Sequence, residues 1–259
     1  RFFDYWLKGI DEGYSDEAPI RVFVMGEDVW RDEQEWPLAR AVNTDYYLSS
    51  GGKANSINGD GTLTTNAPGD ERSDIFLYDP NQPVPTIGGQ LCCYPSNLPP
   101  GAFDQRPVEA RSDVLMYVTP PLETDVEVTG PISLTLWAAT SAPDTDFTGK
   151  LVDIYPDGYS RNLTDGIIRA RFKDGTDQAR PITPNEPTEY TLNLWPTSNL
   201  FKAGHCIGLE VSSSNFPRFD RNLNTGHDLG QDAEMRPAVQ TIFHDSEHPS
   251  KVTLPIVPR

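Results

Sequence analysis

No stretch of the 259-residue sequence approaches the roughly 18 consecutive apolar residues of a membrane-crossing helix, so no membrane partner is expected. Basic side chains are few: 21 Lys and Arg stand against 38 Asp and Glu, a formal charge of −17. Binding to a phosphate backbone rests on clustered cations, and their shortage argues against a nucleic-acid partner. Cysteine is scarce as well. Cys92, Cys93 and Cys206 make an odd count with a vicinal pair, which fits neither a disulfide framework nor a zinc site. Reduced thiols, and with them a cytoplasmic location, are the expectation. No leader peptide is visible, but a chain that opens inside a helix reads as truncated, so this says little about secretion. The G-x-S-x-G turn that presents a hydrolase serine is missing. The tightest histidine cluster, His244 and His248 in HDSEHPS, sits among the turn formers Asp245, Ser246 and Pro249. It reads as a structural turn before a metal or catalytic site.

What is present divides into two styles. In RFFDYWLKG, Phe2, Phe3, Trp6, Leu7 and Ile10 share one face of a 3.6-residue period, and Gly9 stands where a C-terminal cap belongs. So short a helix is marginal alone in water and needs its aromatic face buried on something else. IRVFVMG, Ile20 to Gly26, is nearly all apolar and reads as a strand covered on both faces, as in a parallel sheet flanked by helices. WRDEQEWP, residues 30–37, reads as a linker. From about Tyr46 the chain turns into a dozen short β-like stretches punctuated by Gly, Pro, Asn and Asp. Ile132, Leu134 and Leu136 alternate with Ser133 and Thr135, and Tyr190, Leu192 and Leu194 alternate with Thr191 and Asn193. No fixed repeat appears, so a jelly-roll sandwich is favoured over a propeller or solenoid. One further short helix is predicted in DLGQDAEMR, residues 228–236.

Several charged stretches have a plain reading. Asp144, Asp146, Asp153 and Asp157 lie near Lys150, with Arg169 and Arg171 following. Their spacing is not that of a dedicated calcium loop, and cross-strand ion pairing is expected instead. SSSNFPRFDRNLNTG is a long loop that reads equally as self-packed or as an interdomain contact. The sequon at Asn162 is discounted as a chance match.

Taken together, RFFDYWLKG, VFVMGEDVWRDEQEWPLA, SAPDTDFTGKLVD with YSRNLTDGIIRARF, WPTSNLFKAGH, SSSNFPRFDRNLNTG and HDSEHPSKVTLPIVPR resemble the C-terminal part of the X-Pro dipeptidyl-peptidase and cocaine-esterase-like serine hydrolases, the CocE/NonD family. The resemblance runs in the same order over essentially the whole chain. It implies that residues 1–38 are the last helix and strand of an α/β-hydrolase domain, and that 39–259 form a jelly-roll β-sandwich of the galactose-binding-like type. The Ser-His-Asp triad would lie before Arg1. The face carrying Phe2, Phe3 and Trp6 would then be an interdomain contact with that catalytic domain. By the same resemblance, residues after a Gly-Gly turn line the acyl pocket, and GGQLCCYP assigns that wall to Cys92 and Cys93, flanked by Leu91 and Tyr94. Esterases of the family carry larger apolar residues there, so two cysteines imply a roomier or differently shaped site. From the residues alone, Cys92 and Cys93 are small buried hydrophobes.

The expectation is therefore an all-β, non-catalytic C-terminal region of a serine hydrolase of acyl esters, amides or X-Pro dipeptides, inactive alone. It would bind no cofactor or metal. Its partners would be its own upstream α/β-hydrolase domain, a small ester, amide or peptide substrate, and a second copy in a homo-oligomer. The alternative is a carbohydrate-binding module, for which Trp137 and Trp195 would have to be exposed. Their alternating strand surroundings predict burial for many of their neighbours.

Overall fold

Helix α1 spans Phe2–Lys8 in the computed structural model, which describes residues 1–92, 98–228 and 230–259. Gly9 terminates the helix in the left-handed region at φ 67°. Its N–H bonds Tyr5 O at 3.1 Å, and that of Ile10 bonds Asp4 O at 3.0 Å, so a pair of otherwise orphaned carbonyls is satisfied by a residue without a Cβ penalty. No residue of α1 is buried. The helix packs on its own connection through Tyr5 and Phe2 against Tyr14, with ring centroids 5.0 and 6.1 Å apart, and Arg1 before it pairs with Glu17.

β1 (Ile20–Val24) does not stand as a strand covered on both faces. It pairs antiparallel with β2 (Val29–Glu33) in a separate two-stranded sheet. Only Val24 is fully buried, while Phe23 and its register partner Trp30 stack at 5.3 Å on an open face. The first half of the expected linker is thus strand β2.

The remaining strands form one continuous curled sheet: β3 (Val42–Ser49), β4 (Thr62–Thr64), β5 (Asp74–Tyr78), β6 (Leu115–Val118), β7 (Val126–Thr140), β8 (Asp146–Ile154), β9 (Ser160–Arg169), β10 (Thr188–Phe201), β11 (Cys206–Ser212), β12 (Ala238–Phe243) and β13 (Lys251–Val257). The order is β5-β12-β7-β13-β3-β4-β6-β11-β8-β9, with β10 also on β7, and every ladder is antiparallel except the single β4–β6 bridge. Leu134 and Leu136 of β7, Leu192 and Leu194 of β10, and Phe147 and Leu151 of β8 meet in one core. Phe147 lies 5.1 Å from Tyr190 across it.

β7 joins two predicted strands into one. Gly130 and Pro131 fall opposite Thr197 and Pro196, where the β10 ladder has a register shift between Asn193 and Pro196. A proline lacks a ladder donor, and an irregularity is where a sheet accommodates it. At that shift Trp195 takes φ 65° and is 54% exposed, whereas Trp137 is half-buried against His248 at 5.1 Å. β9 begins earlier and ends earlier than the pattern suggests, giving way to a 3₁₀ turn at Ala170–Phe172. Residues 228 and 230–236 contain no helix, so the one expected there is withdrawn. One short helix the periodicity misses, α2 (Arg106–Glu109), precedes β6.

The expected ion pairing is met in part: Asp153 bonds His205 instead of a Lys or Arg, and Asp157 accepts the Tyr159 N–H. Asp146 faces Arg169 in the β8–β9 register at 2.8 Å, Asp144 meets Arg171 at 2.7 Å, and Lys150 faces Glu210 in the β8–β11 register at 2.8 Å. SSSNFPRFDRNLNTG packs on its own sandwich: Asn215 donates to Asp165 at 2.6 Å, and Asn222 donates to both Asp144 and Asp146 at 2.8 Å.

Candidate functional site

Two surfaces carry the features the sequence singles out. The first is the segment between β5 and α2, described over residues 79–92 and 98–105. Its two limbs meet where Gly89 N–H bonds Gly101 O at 2.7 Å and Gly101 N–H bonds Gly89 O at 3.0 Å. Gly88, at φ 67°, lies so close beneath that a Cβ would stand 2.5 Å from both Gly101 O and Phe103 Cδ2. Only glycine allows that approach without moving the backbone. Gln90 reaches down to Thr164 Oγ1 at 3.2 Å, and Thr164 in turn donates to Leu194 O, fixing the segment to β9 and β10. Asn162, the residue of the sequon, is buried and accepts the Phe103 N–H at 2.6 Å. It is an anchor, not a glycan acceptor.

Leu91 and Cys92 emerge just beyond the Gly89–Gly101 pair. Leu91 is partly exposed with its N–H on Gly89 O at 2.9 Å, and Cys92 is exposed, so the small-buried-hydrophobe reading does not hold for it. Cys93 and Tyr94 lie outside the described residues. Cys206 is partly buried, and burial pushes its thiol up.

The second surface is N-terminal. Phe3, Trp6 and Leu7 are 68, 64 and 77% exposed, and Phe2, Ile10, Phe23 and Trp30 are exposed beside them in sequence. The hairpin below them is fastened at two points. Met25 N–H bonds Ser198 O at 3.0 Å, and Leu200 N–H bonds Met25 O at 2.8 Å. Beside this, Arg31 makes a two-pronged pair with Glu127 at 2.6 and 3.0 Å, and Arg259 joins the same carboxylate at 3.1 Å. Burial pushes the Glu127 carboxyl up, but the donors from Arg31, Thr129 and Arg259 outweigh it and hold the group below its ordinary value.

Among the described residues, one cluster resembles a triad in composition. Ser50, Asp74 and His244 are brought together from distant positions, with Ser50 Oγ 3.2 Å from His244 Nε2. The wiring is wrong for catalysis. Ser50 donates to Asp74 at 2.7 Å, and both ring nitrogens of the fully buried His244 face carboxylates, Asp74 at 2.9 Å and Glu71 at 3.2 Å. No ring nitrogen remains to take the serine proton, as a general base must. Burial raises Asp74, but bonds from His244, the Ala54 N–H, Ser50 and Tyr117 together hold it below the usual carboxylate range.

Among the described residues, His227, Asp232 and Glu234 place ligand atoms within 4.8 Å of one another. His227 is bonded to Asp232 at 2.8 Å and Glu234 is taken by Arg236 at 2.7 Å, so they compose an exposed ion-pair group. His248 closes its own turn on Asp245 at 3.1 Å, as the sequence reading expects. No helix among the described residues is long and apolar enough to cross a membrane.

Residues 12–253 match the family of the X-Pro dipeptidyl-peptidase C-terminal non-catalytic domain. The chain is 45% identical to a cocaine esterase of Rhodococcus sp. (strain MB1 Bresler) over 260 aligned residues, which is all of this chain and 45% of that protein. It superposes on the crystal structure of an aminopeptidase from a marine-sediment Thaumarchaeota archaeon with a TM-score of 0.86 at 27% identity, covering 99% of this chain and 43% of that one. An α-amino acid ester hydrolase gives 0.84 at 28% identity, over 98% and 43%. The chain thus spans less than half the length of the hydrolases it matches. With its β-sandwich and this match over nearly its full length, the chain belongs to the C-terminal non-catalytic domain family of the X-Pro dipeptidyl-peptidase and cocaine-esterase-like hydrolases.

Proposed function

We propose that this chain works as the accessory part of a serine hydrolase of acyl esters, amides or X-Pro dipeptides, docking on an α/β-hydrolase domain and walling its acyl pocket. The observation that carries the reading is the bare aromatic face of α1. A short amphipathic helix with none of its residues buried is marginal in water, and burying each large apolar side chain on a partner is worth about 1.5–3 kcal/mol. Phe2, Phe3 and Trp6 form the contact, and Phe23 and Trp30 extend it. On this reading residues 1–38 belong structurally to the catalytic domain and 39–259 to the jelly roll. Leu91 and Cys92, on a segment braced from below, face the acyl group. Hydrolysis runs through an acyl-enzyme on a serine of the catalytic domain, with this chain excluding water from one side and shaping specificity.

The test is a chimera in which this chain replaces the matching region of the Rhodococcus esterase. Cys92→Phe is expected to change the ratio of kcat/KM for p-nitrophenyl butyrate over p-nitrophenyl benzoate by about tenfold or more, the scale on which pocket volume discriminates acyl groups. A ratio unmoved by Cys92→Phe and Leu91→Ala overturns the wall. The chain alone is expected to give no turnover of p-nitrophenyl esters above a heat-inactivated control.

Exposed Trp195 favours a second reading, a carbohydrate-binding module, because such modules present aromatic platforms. Retention of the chain on insoluble polysaccharide, lost in Trp195→Ala, would establish it over the hydrolase reading.

A further inference from the structure

Both limbs of the segment between β5 and α2 converge on one side chain. Gln105 is fully buried at the start of α2. Its Nε2 donates to Ile87 O at 3.0 Å on the outgoing limb and to Phe103 O at 3.0 Å on the returning one. Its Oε1 accepts from Lys150 Nζ at 2.8 Å, and Lys150 also donates to Glu210 Oε2 at 2.8 Å. The backbone of Gln105 is held too, its N–H on Ser160 O at 2.8 Å and its carbonyl taken by the N–H groups of Val108 and Glu109 at 2.8 and 2.9 Å.

An amide has two donors, and both are spent on the segment. A flipped amide would aim its NH₂ at the Lys150 ammonium and its oxygen at two carbonyls, so the lysine fixes its orientation. We propose that Gln105, locked by the Lys150–Glu210 pair, is a positioning residue: it sets the spacing of the two limbs and so the placement of Leu91 and Cys92. That this placement matters for substrate rests on the acyl-wall reading above; the pin itself does not.

The surroundings argue for geometry as the purpose. A buried lysine–glutamate pair is a poor source of stability compared with apolar packing, and here Glu210 Oε1 is left without a partner. An apolar group at position 105 would fill the space equally well but hold neither carbonyl. Buried polar networks of this kind specify one arrangement over others.

The experiment uses the whole 259-residue chain. In the unmodified protein, the side-chain NH₂ protons of Gln105, followed by nuclear magnetic resonance, are expected to exchange as slowly as ladder amides of β7, while those of exposed Gln34 exchange at once. Equally fast exchange at both overturns the pin without any variant having to fold. In Gln105→Leu and Lys150→Met, amide exchange at Ile87–Leu91 and Gly101–Asp104 is expected to rise about tenfold or more with β7 and β13 unchanged, the mark of local opening. Cys92, made the sole thiol by Cys93→Ser and Cys206→Ser, should be modified faster in the same variants. Lys150→Arg, which keeps a donor for Oε1, should restore slow exchange. Unchanged exchange in the two limbs, or an equal rise throughout the sandwich, refutes the proposal. Loosening in these variants with no change of ester preference in the chimera would remove the acyl wall and leave the pin standing.

Discussion

The first 41 residues and the sandwich that follows obey different rules of burial. Among the described residues, nine of the sixteen exposed large apolar side chains lie in that opening sixth, and no residue of α1 is buried. The sandwich does the reverse. It buries not only its leucines and tyrosines but also Asp74, Glu109, Lys150 and Glu210, all with relative exposures below 9%. A segment that leaves aromatics in water while its neighbour takes charges into its core is the contrast on which the proposed docking rests. Contiguous exposed apolar patches of this kind mark interaction sites. On the proposed docking, the N-terminal segment would gain the burial it lacks in this chain.

Substitutions should separate the two regions, starting in the sandwich. Asp74→Ala leaves Ser50, Tyr117, His244 and the Ala54 N–H without their shared acceptor, and is expected to cost about 3–5 kcal/mol in denaturant unfolding. A smaller effect comes from Glu109, whose carboxyl is pushed up to about 7, from an ordinary 4.5, by burial and then by the Glu210 charge. Between those values the native chain holds more protons than the unfolded one, so stability falls as pH rises through the window and levels off above it. The expected loss is on the order of 2–3 kcal/mol, and Glu109→Gln should flatten that slope.

At the junction, Glu127→Gln weakens the clasp of Arg31 and Arg259. It is expected to loosen the hairpin by about 1–3 kcal/mol, read as faster amide exchange at Val22, Val24 and Met25 with β7 unaffected. The smallest effect belongs to the most conspicuous residues. Phe3→Ser and Trp6→Ser should change the stability of the chain by no more than about 0.5 kcal/mol, because neither ring is buried in it. A cost of several kcal/mol for either would erase the contrast between the regions.

Much of this was readable before any coordinates. Period-2 alternation marks β7 and β10 because one face of each meets a core, and Gly9 marks the helix end because the cap needs a positive φ. Opposite charges on neighbouring strands announce Asp146–Arg169. Other features were hidden for physical reasons. IRVFV resembles a doubly covered strand because four of its five side chains are apolar, yet in the hairpin Phe23 is exposed and only Val24 of the strand is buried. Trp195 sits in an alternating run, but a register shift turns it outward. Helix α2 is too short to show a period. The Gln105 pin and the Ser50–Asp74–His244 cluster join residues far apart in sequence, and a lone Gln or Ser carries no signal until the topology gathers its partners. The proposed role of Leu91 and Cys92 rests on family resemblance, not on any pattern of their own.

The central claim is that the aromatic face of α1 meets a catalytic domain, and side-chain footprinting tests it most directly. Hydroxyl-radical oxidation of Phe2, Phe3 and Trp6 would be compared in the chain alone and in the active chimera. The account predicts rapid oxidation in the chain alone and, in the chimera, rates as low as that of buried Tyr117. Equal, rapid oxidation of the three rings in both proteins would contradict it.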